Sequence, residues 1–173
     1  MDFSTEFVAF RDRLQEGQDE AFVSRRNVEV AGRTAALLSS FSVSSERKIL
    51  GIMPTGSTTH AHEYRLLFAA PDLEEAALDG WWTYAAEAED ALVQADAQHS
   101  FSLVSLILVT GPADKALQKK IKKLSAERHY EGEQGGWSTI RLAVVDLVGR
   151  KVYANAAGDP LKGILKPFLR KCQ

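Results

Sequence analysis

A single cysteine in 173 residues leaves no partner for an internal disulfide, so nothing in the composition points to an oxidising compartment. That thiol, Cys172, is one residue from the last position and is poorly placed to act as a nucleophile. Long hydrophobic runs are missing as well. The longest strongly apolar stretch, LVSLILV at 103–109, falls far short of the roughly 20 residues that a helix needs to cross a bilayer. The opening residues MDFSTEFVAF carry no basic leader ahead of an apolar segment, so no signal peptide is expected. The expected location is therefore cytoplasmic, with no membrane partner. Net charge is nearly absent too, at −2, which gives no overall attraction to polyanions or acidic lipid. The chain has no GxSxG elbow, no glycine spacing of a phosphate or dinucleotide loop, no internal repeat and no low-complexity tract.

What is present is an average globular composition, 45% hydrophobic and 25% charged. With no linker to divide it, residues 1–173 read as one domain. A chain of this length buries about 70% of the surface its unfolded form exposes, enough for a core without staples.

The spacing of Phe3, Phe7, Phe10 and Leu14 predicts a first helix over 3–15, with Ser4 as cap and Gly17 as stop. Residues 29–41, EVAGRTAALLSSF, read as an alanine-rich helix in spite of Gly32, although Val28 and Val30 alternate as in a strand. Two strands at 47–53 and 62–69, joined by the polar loop PTGSTTH, suggest a hairpin with an oversized connection. Asp72 and Glu75 form a capping-box pair opening a long helix over 72–97. Its apolar face runs through Leu73, Ala77, Trp81, Tyr84, Ala88, Leu92 and Ala95. The strand at 101–110 is apolar on both faces and is expected to be covered on both. A helix over 113–128 follows, then strands around Gly149-Arg150 and a last helix opened by Asp159-Pro160. The expected order is α-α-β-β-α-β-α-β-β-α, an α+β class with a mixed sheet of about five strands packed against helices.

Three constellations carry chemical interest. If strands 101–110 and 138–147 pair in parallel, Thr110, Gly111, Asp114, Lys115 and Asp146 meet at their carboxyl ends, where open sheets usually hold ligands. The following helix start would favour an anion, although TGPADK lacks phosphate-loop glycines and Pro112 removes an amide. Second, His60 and His62 share one face of a strand and could hold a metal, but no third ligand can be named, and His99 and His129 stand apart. Third, charge is partitioned: eight acidic and no basic residues lie between Asp72 and Gln98, against six basic and two acidic between Ala113 and Arg128. These read as two solvated faces that attract each other; without interleaved aromatics, nucleic acid is not the expected partner. Trp82, about 100° around the helix from Trp81, covers a neighbouring strand or anchors a partner. Glu46-Arg47-Lys48 spells the acid-x-lysine pair of some metal-dependent nucleases, without the upstream aspartate.

No complete catalytic set is legible, and no cofactor is expected. The expectation is a non-catalytic binding or protein-interaction module that forms a homodimer. The alternatives are a small-ligand or phosphate-binding enzyme at the strand ends, or metal-dependent chemistry at His60 and His62.

Overall fold

The computed structural model describes the backbone of residues 1–49 and 53–169 and the side chains of 1–45 and 58–169. The side chains of Glu46, Arg47 and Lys48, and Cys172, lie outside the described residues. The elements are α1 (Phe3–Gly17), β1 (Val23–Val30), β2 (Arg33–Ile49), β3 (Met53–Ala69), α2 (Glu75–Leu92) and β4 (His99–Thr110). They continue with α3 (Lys115–Lys123), β5 (Glu127–His129), β6 (Trp137–Asp146), β7 (Lys151–Ala154) and α4 (Asp159–Leu165), which runs into a 3₁₀ turn at Lys166–Leu169. The class is α+β, as expected, but the mixed sheet has seven strands. Its order is β1-β2-β3-β4-β6-β5, with β7 on the same edge of β6 as β5.

The largest departure lies at 29–41, where a hairpin replaces the expected helix. Ala31 and Gly32 both take positive φ, 49° and 84°, the geometry of a two-residue turn that matches strand twist. Val30 then faces Arg33, and β1 zips onto β2 as far as Val23 opposite Ser40. Burial, not helix propensity, decides this segment: Ala35, Leu37 and Leu38 all enter the core as strand residues. PTGSTTH is likewise not a free loop but lies near the start of β3, paired with β2 at Pro54 and again from Thr58 to His60 across a shift of register between Glu46 and Lys48.

Other expectations shift by a few residues. Asp2, not Ser4, caps α1 by accepting from the Ser4 amide at 3.1 Å. Helix α2 starts at Glu75, so Leu73 is buried ahead of it while Ala77 is exposed. The helix expected over 113–128 ends at Lys123, and its tail becomes β5. Gly158, not Asp159, occupies the cap of α4.

Parallel pairing of β3 with β4 and of β4 with β6 uses α2 and α3 as crossovers, and connections of one hand put both helices on one face. There Leu66, Leu106, Leu142 and Val144 meet Leu78, Ala85, Leu117 and Ile121. The other face receives α1 and α4, whose Phe10, Leu14, Leu161 and Leu165 cover Leu37, Leu67, Ile107 and Val145. Those two helices roof only the carboxyl-terminal half of the central strands. Among the described residues, no helix crosses the other half.

Candidate functional site

Alternation along β2, β3, β4 and β6 sends every second side chain onto the roofless half, and strand register arranges these side chains in rows. The inner row is Ser39, Arg65, Ser105 and Arg141; each is paired with the next across a strand boundary. The next is Phe41, Glu63, Leu103 and Thr139, and the outer row is Val43, Ala61, Phe101 and Trp137. Polar chemistry thus lies beside the helix roof, and apolar surface lies further out.

The inner row is nearly dry. Ser39 and Ser105 are buried, Arg65 is 8% exposed, and Arg141 and Glu63 retain a small accessible fraction. One carboxylate oxygen serves two guanidiniums: Glu63 Oε1 lies 2.9 Å from Arg65 Nε and 3.9 Å from Arg141 Nη1. Arg65 is further held by the Phe22 ring, 4.1 Å from its guanidinium carbon, and Gln18 closes that end by donating to Ser39 Oγ at 3.0 Å. Arg141 has no such support. Burial holds its guanidinium below the ordinary arginine value; Glu63 pulls it up, and Arg65 pushes it down. Its Nε and the Ser105 hydroxyl are buried without a hydrogen-bond partner. An orphaned buried donor costs about 1–3 kcal/mol, so two in one row call for an explanation.

Two shallow hollows flank this row on either side of Leu103. One, of about 160 Å³, lies among Phe41, Val43, Ala61, Glu63 and Phe101. The other, about 330 Å³, is lined by Leu103, Ser125, Glu127, Trp137, Thr139, Arg141 and Ala157. Phe101 stacks on Trp137 with ring centroids 5.2 Å apart, forming an apolar wall.

The strand-end crevice assembles as a place but not as a free site. β4 and β6 pair in parallel, with Thr110 opposite Asp146. Thr110, fully buried, donates to the Pro71 carbonyl at 3.3 Å and accepts from the Leu73 amide at 3.2 Å. Asp146 is 4% exposed and pairs with backbone amides, not with Arg150 or Lys151: Oδ2 accepts from Ala113 at 3.1 Å and Oδ1 from Gly149 at 2.6 Å. A Cβ on Gly149 would stand 2.8 Å from that carboxylate, so the turn is drawn tight around it. The Gly111 amide donates to the Pro71 carbonyl, Asp114 caps α3 through the Leu117 amide, and Lys115 is exposed. The adjoining hollow is lined by Asp72, Glu74 and Asp114, a sign of charge that repels an anion. These groups brace the ends of β4 and β6. Asp146→Asn is accordingly expected to cost about 1–3 kcal/mol in urea denaturation, because one acceptor becomes a donor facing an amide. A loss under about 0.5 kcal/mol would contradict that bracing role.

On the opposite face, His60 and His62 do point the same way. Each Nδ1 is paired with a serine hydroxyl, Ser44 at 2.8 Å and Ser42 at 2.7 Å. His99, expected to stand apart, instead stacks on His62 with ring centroids 6.3 Å apart. Burial, then the His99 and His60 rings, hold His62 below its ordinary value, so it is neutral at pH 7. Among the described residues no group of three or more His, Cys, Asp or Glu is placed to hold a metal ion.

His99 also forms an arrangement that reads like an activated nucleophile. Its Nδ1 lies 2.7 Å from the Gly135 carbonyl and its Nε2 2.7 Å from Ser102 Oγ. Ser102 is fully buried, however, and no substrate can reach its hydroxyl. Neighbouring Glu89 accepts from Ser138 Oγ at 2.9 Å, and Arg128 pairs with Asp90, so this end of α2 is stitched to β5 and β6. The charged faces of α2 and α3 meet within the chain: Lys120 Nζ is 2.9 Å from Asp79 and donates to the Glu75 carbonyl. Trp82 is half-buried and packs against the core.

The family model described as a domain of unknown function, DUF8052, matches residues 8–167, and the chain belongs to that family. Neither the curated proteins nor the solved structures contain a match.

Proposed function

We propose that this DUF8052 protein is a non-catalytic binding module whose docking surface is the roofless half of its sheet. The observation that carries this reading is the graded grid on that half: a dry polar row with orphaned atoms beside half-buried aromatics and the 45% exposed Val43. Sheets in helix-layered proteins normally bury both faces, so an open apolar half-face marks an interaction surface. The occupant we assign is a small amphipathic molecule, because the hollows on either side of Leu103 are narrow and shallow.

Val43→Glu tests the surface without touching the core. Binding of Nile red, a neutral apolar dye, to the native protein is expected to weaken about fivefold while the melting temperature holds, since a buried apolar contact of this size contributes about 1 kcal/mol. Unchanged dye binding would remove the surface assignment. Sedimentation velocity at tens of micromolar is expected to give a monomer. Self-association that Val43→Glu abolishes would show that a second copy occupies the face in place of a small molecule.

A further inference from the structure

We infer that the occupant of this face carries a single carboxylate, seated against Arg141 with its apolar body along Leu103 and Trp137. This rests on the surface assigned above and adds the ligand's head group. The charge count comes first. Arg65 and Arg141 contribute two positive charges and Glu63 one negative; Glu127, which follows Thr139 in its row and lines the same hollow, is 57% exposed and screened by water, so the poorly solvated part of the grid holds one uncompensated cation.

Arg141 is the uncompensated one. Arg65 has the short contact to Glu63 and the Phe22 ring above it, whereas Arg141 has only the 3.9 Å contact and an orphaned Nε. A guanidinium presents paired N–H groups in a plane that a carboxylate matches with two parallel hydrogen bonds. Thr139 Oγ1 donates to the Ala126 carbonyl at 2.8 Å, so it presents no free hydrogen to the hollow, and Arg141 is its cation.

One positive charge selects a monoanion. A phosphate monoester, near −2 at neutral pH, would leave a surplus negative charge beside Glu63 in a poorly solvated site, where like charges are costly. The walls select the rest: Leu103, Ala157 and the Trp137 indole face the hollow that Arg141 lines, so the body behind the carboxylate is apolar.

The test titrates the full chain with octanoate, octanamide and octyl phosphate, reading amide shifts by NMR. Octanoate is expected to bind at least about tenfold tighter than octanamide, the share a charge-assisted pair supplies. Arg141→Met is expected to bring octanoate down to the octanamide level while leaving octanamide within about twofold, because the apolar stem is kept. Arg141→Lys, which keeps the charge and loses the fork, should fall between. Equal binding of acid and amide to the native protein overturns the carboxylate assignment alone, and so does a preference that survives in Arg141→Met. Octyl phosphate binding tighter than octanoate overturns the monoanion assignment. If neither octanoate nor octanamide shifts Thr139 and Arg141, the docking surface itself fails with it.

Discussion

Asn155→Leu is expected to destabilise the protein by about 4 kcal/mol, because the Leu142 amide and the Leu124 and Ile140 carbonyls lose this partner at once and each orphan costs about 1–3 kcal/mol. The Asn155 side chain is 1% exposed and fully saturated. Its Oδ1 accepts from the Leu142 amide at 3.0 Å and the Gly158 amide at 2.9 Å. Its Nδ2 donates to the Leu124 and Ile140 carbonyls, both at 3.2 Å. The position explains the demand. β5 covers the outer edge of β6 only at Trp137–Thr139, and β7 only from Ala143 to Asp146. Ile140 and Leu142 fall in the gap, and the Asn155 amide supplies the ladder bonds that a strand would have made. Urea denaturation followed by tryptophan fluorescence measures the loss. With total stabilities of about 5–15 kcal/mol for ordinary domains, the variant would be close to unfolding at 37 °C. A loss below about 1 kcal/mol would mean that water or a shifted strand replaces the side chain.

The second large effect is an asymmetry at the candidate site. Glu63→Gln is expected to cost about 3 kcal/mol, because two poorly solvated guanidiniums lose their shared counter-charge. Arg141→Met, a few ångströms away, is expected to leave stability within about 0.5 kcal/mol of the native value or to raise it, since a desolvated cation gives way to an apolar side chain. Arg65 remains paired with Glu63 in that variant, at 2.9 Å. Paired denaturation curves decide the matter: equal losses for the two variants would mean that Arg141 is a structural ion pair and not a group held ready for a ligand. A binding residue that is neutral or costly for the fold follows the usual trade between stability and function.

Arg65, Ser105 and Arg141 also show why the site escaped sequence reasoning. Along HEYRLLFA, FSLVSLILV and STIRLAVVD, each is one of only one or two polar residues on its face, and so few read as ordinary polar surface. Only strand register, Arg65 opposite Ser105 and Ser105 opposite Arg141, places all three in one row. The strand-end crevice was the reverse case. Its residues do meet, as parallel pairing required, but Thr110 and Asp146 are engaged with backbone groups. Residue types indicate which groups could react; they do not indicate which groups are already engaged.

Local periodicity was enough to define α1, the amphipathic faces of α2 and α3, the carboxyl-terminal half of β4 that is covered on both faces, and the α+β class, because those patterns arise from neighbours within a few residues in the chain. The hairpin at Ala31-Gly32, the seventh strand, the half-roofed face and the polar row were decided by contacts between distant segments. There the free energy of burying Ala35, Leu37 and Leu38 under two layers outweighs the smaller helix preference of the same residues.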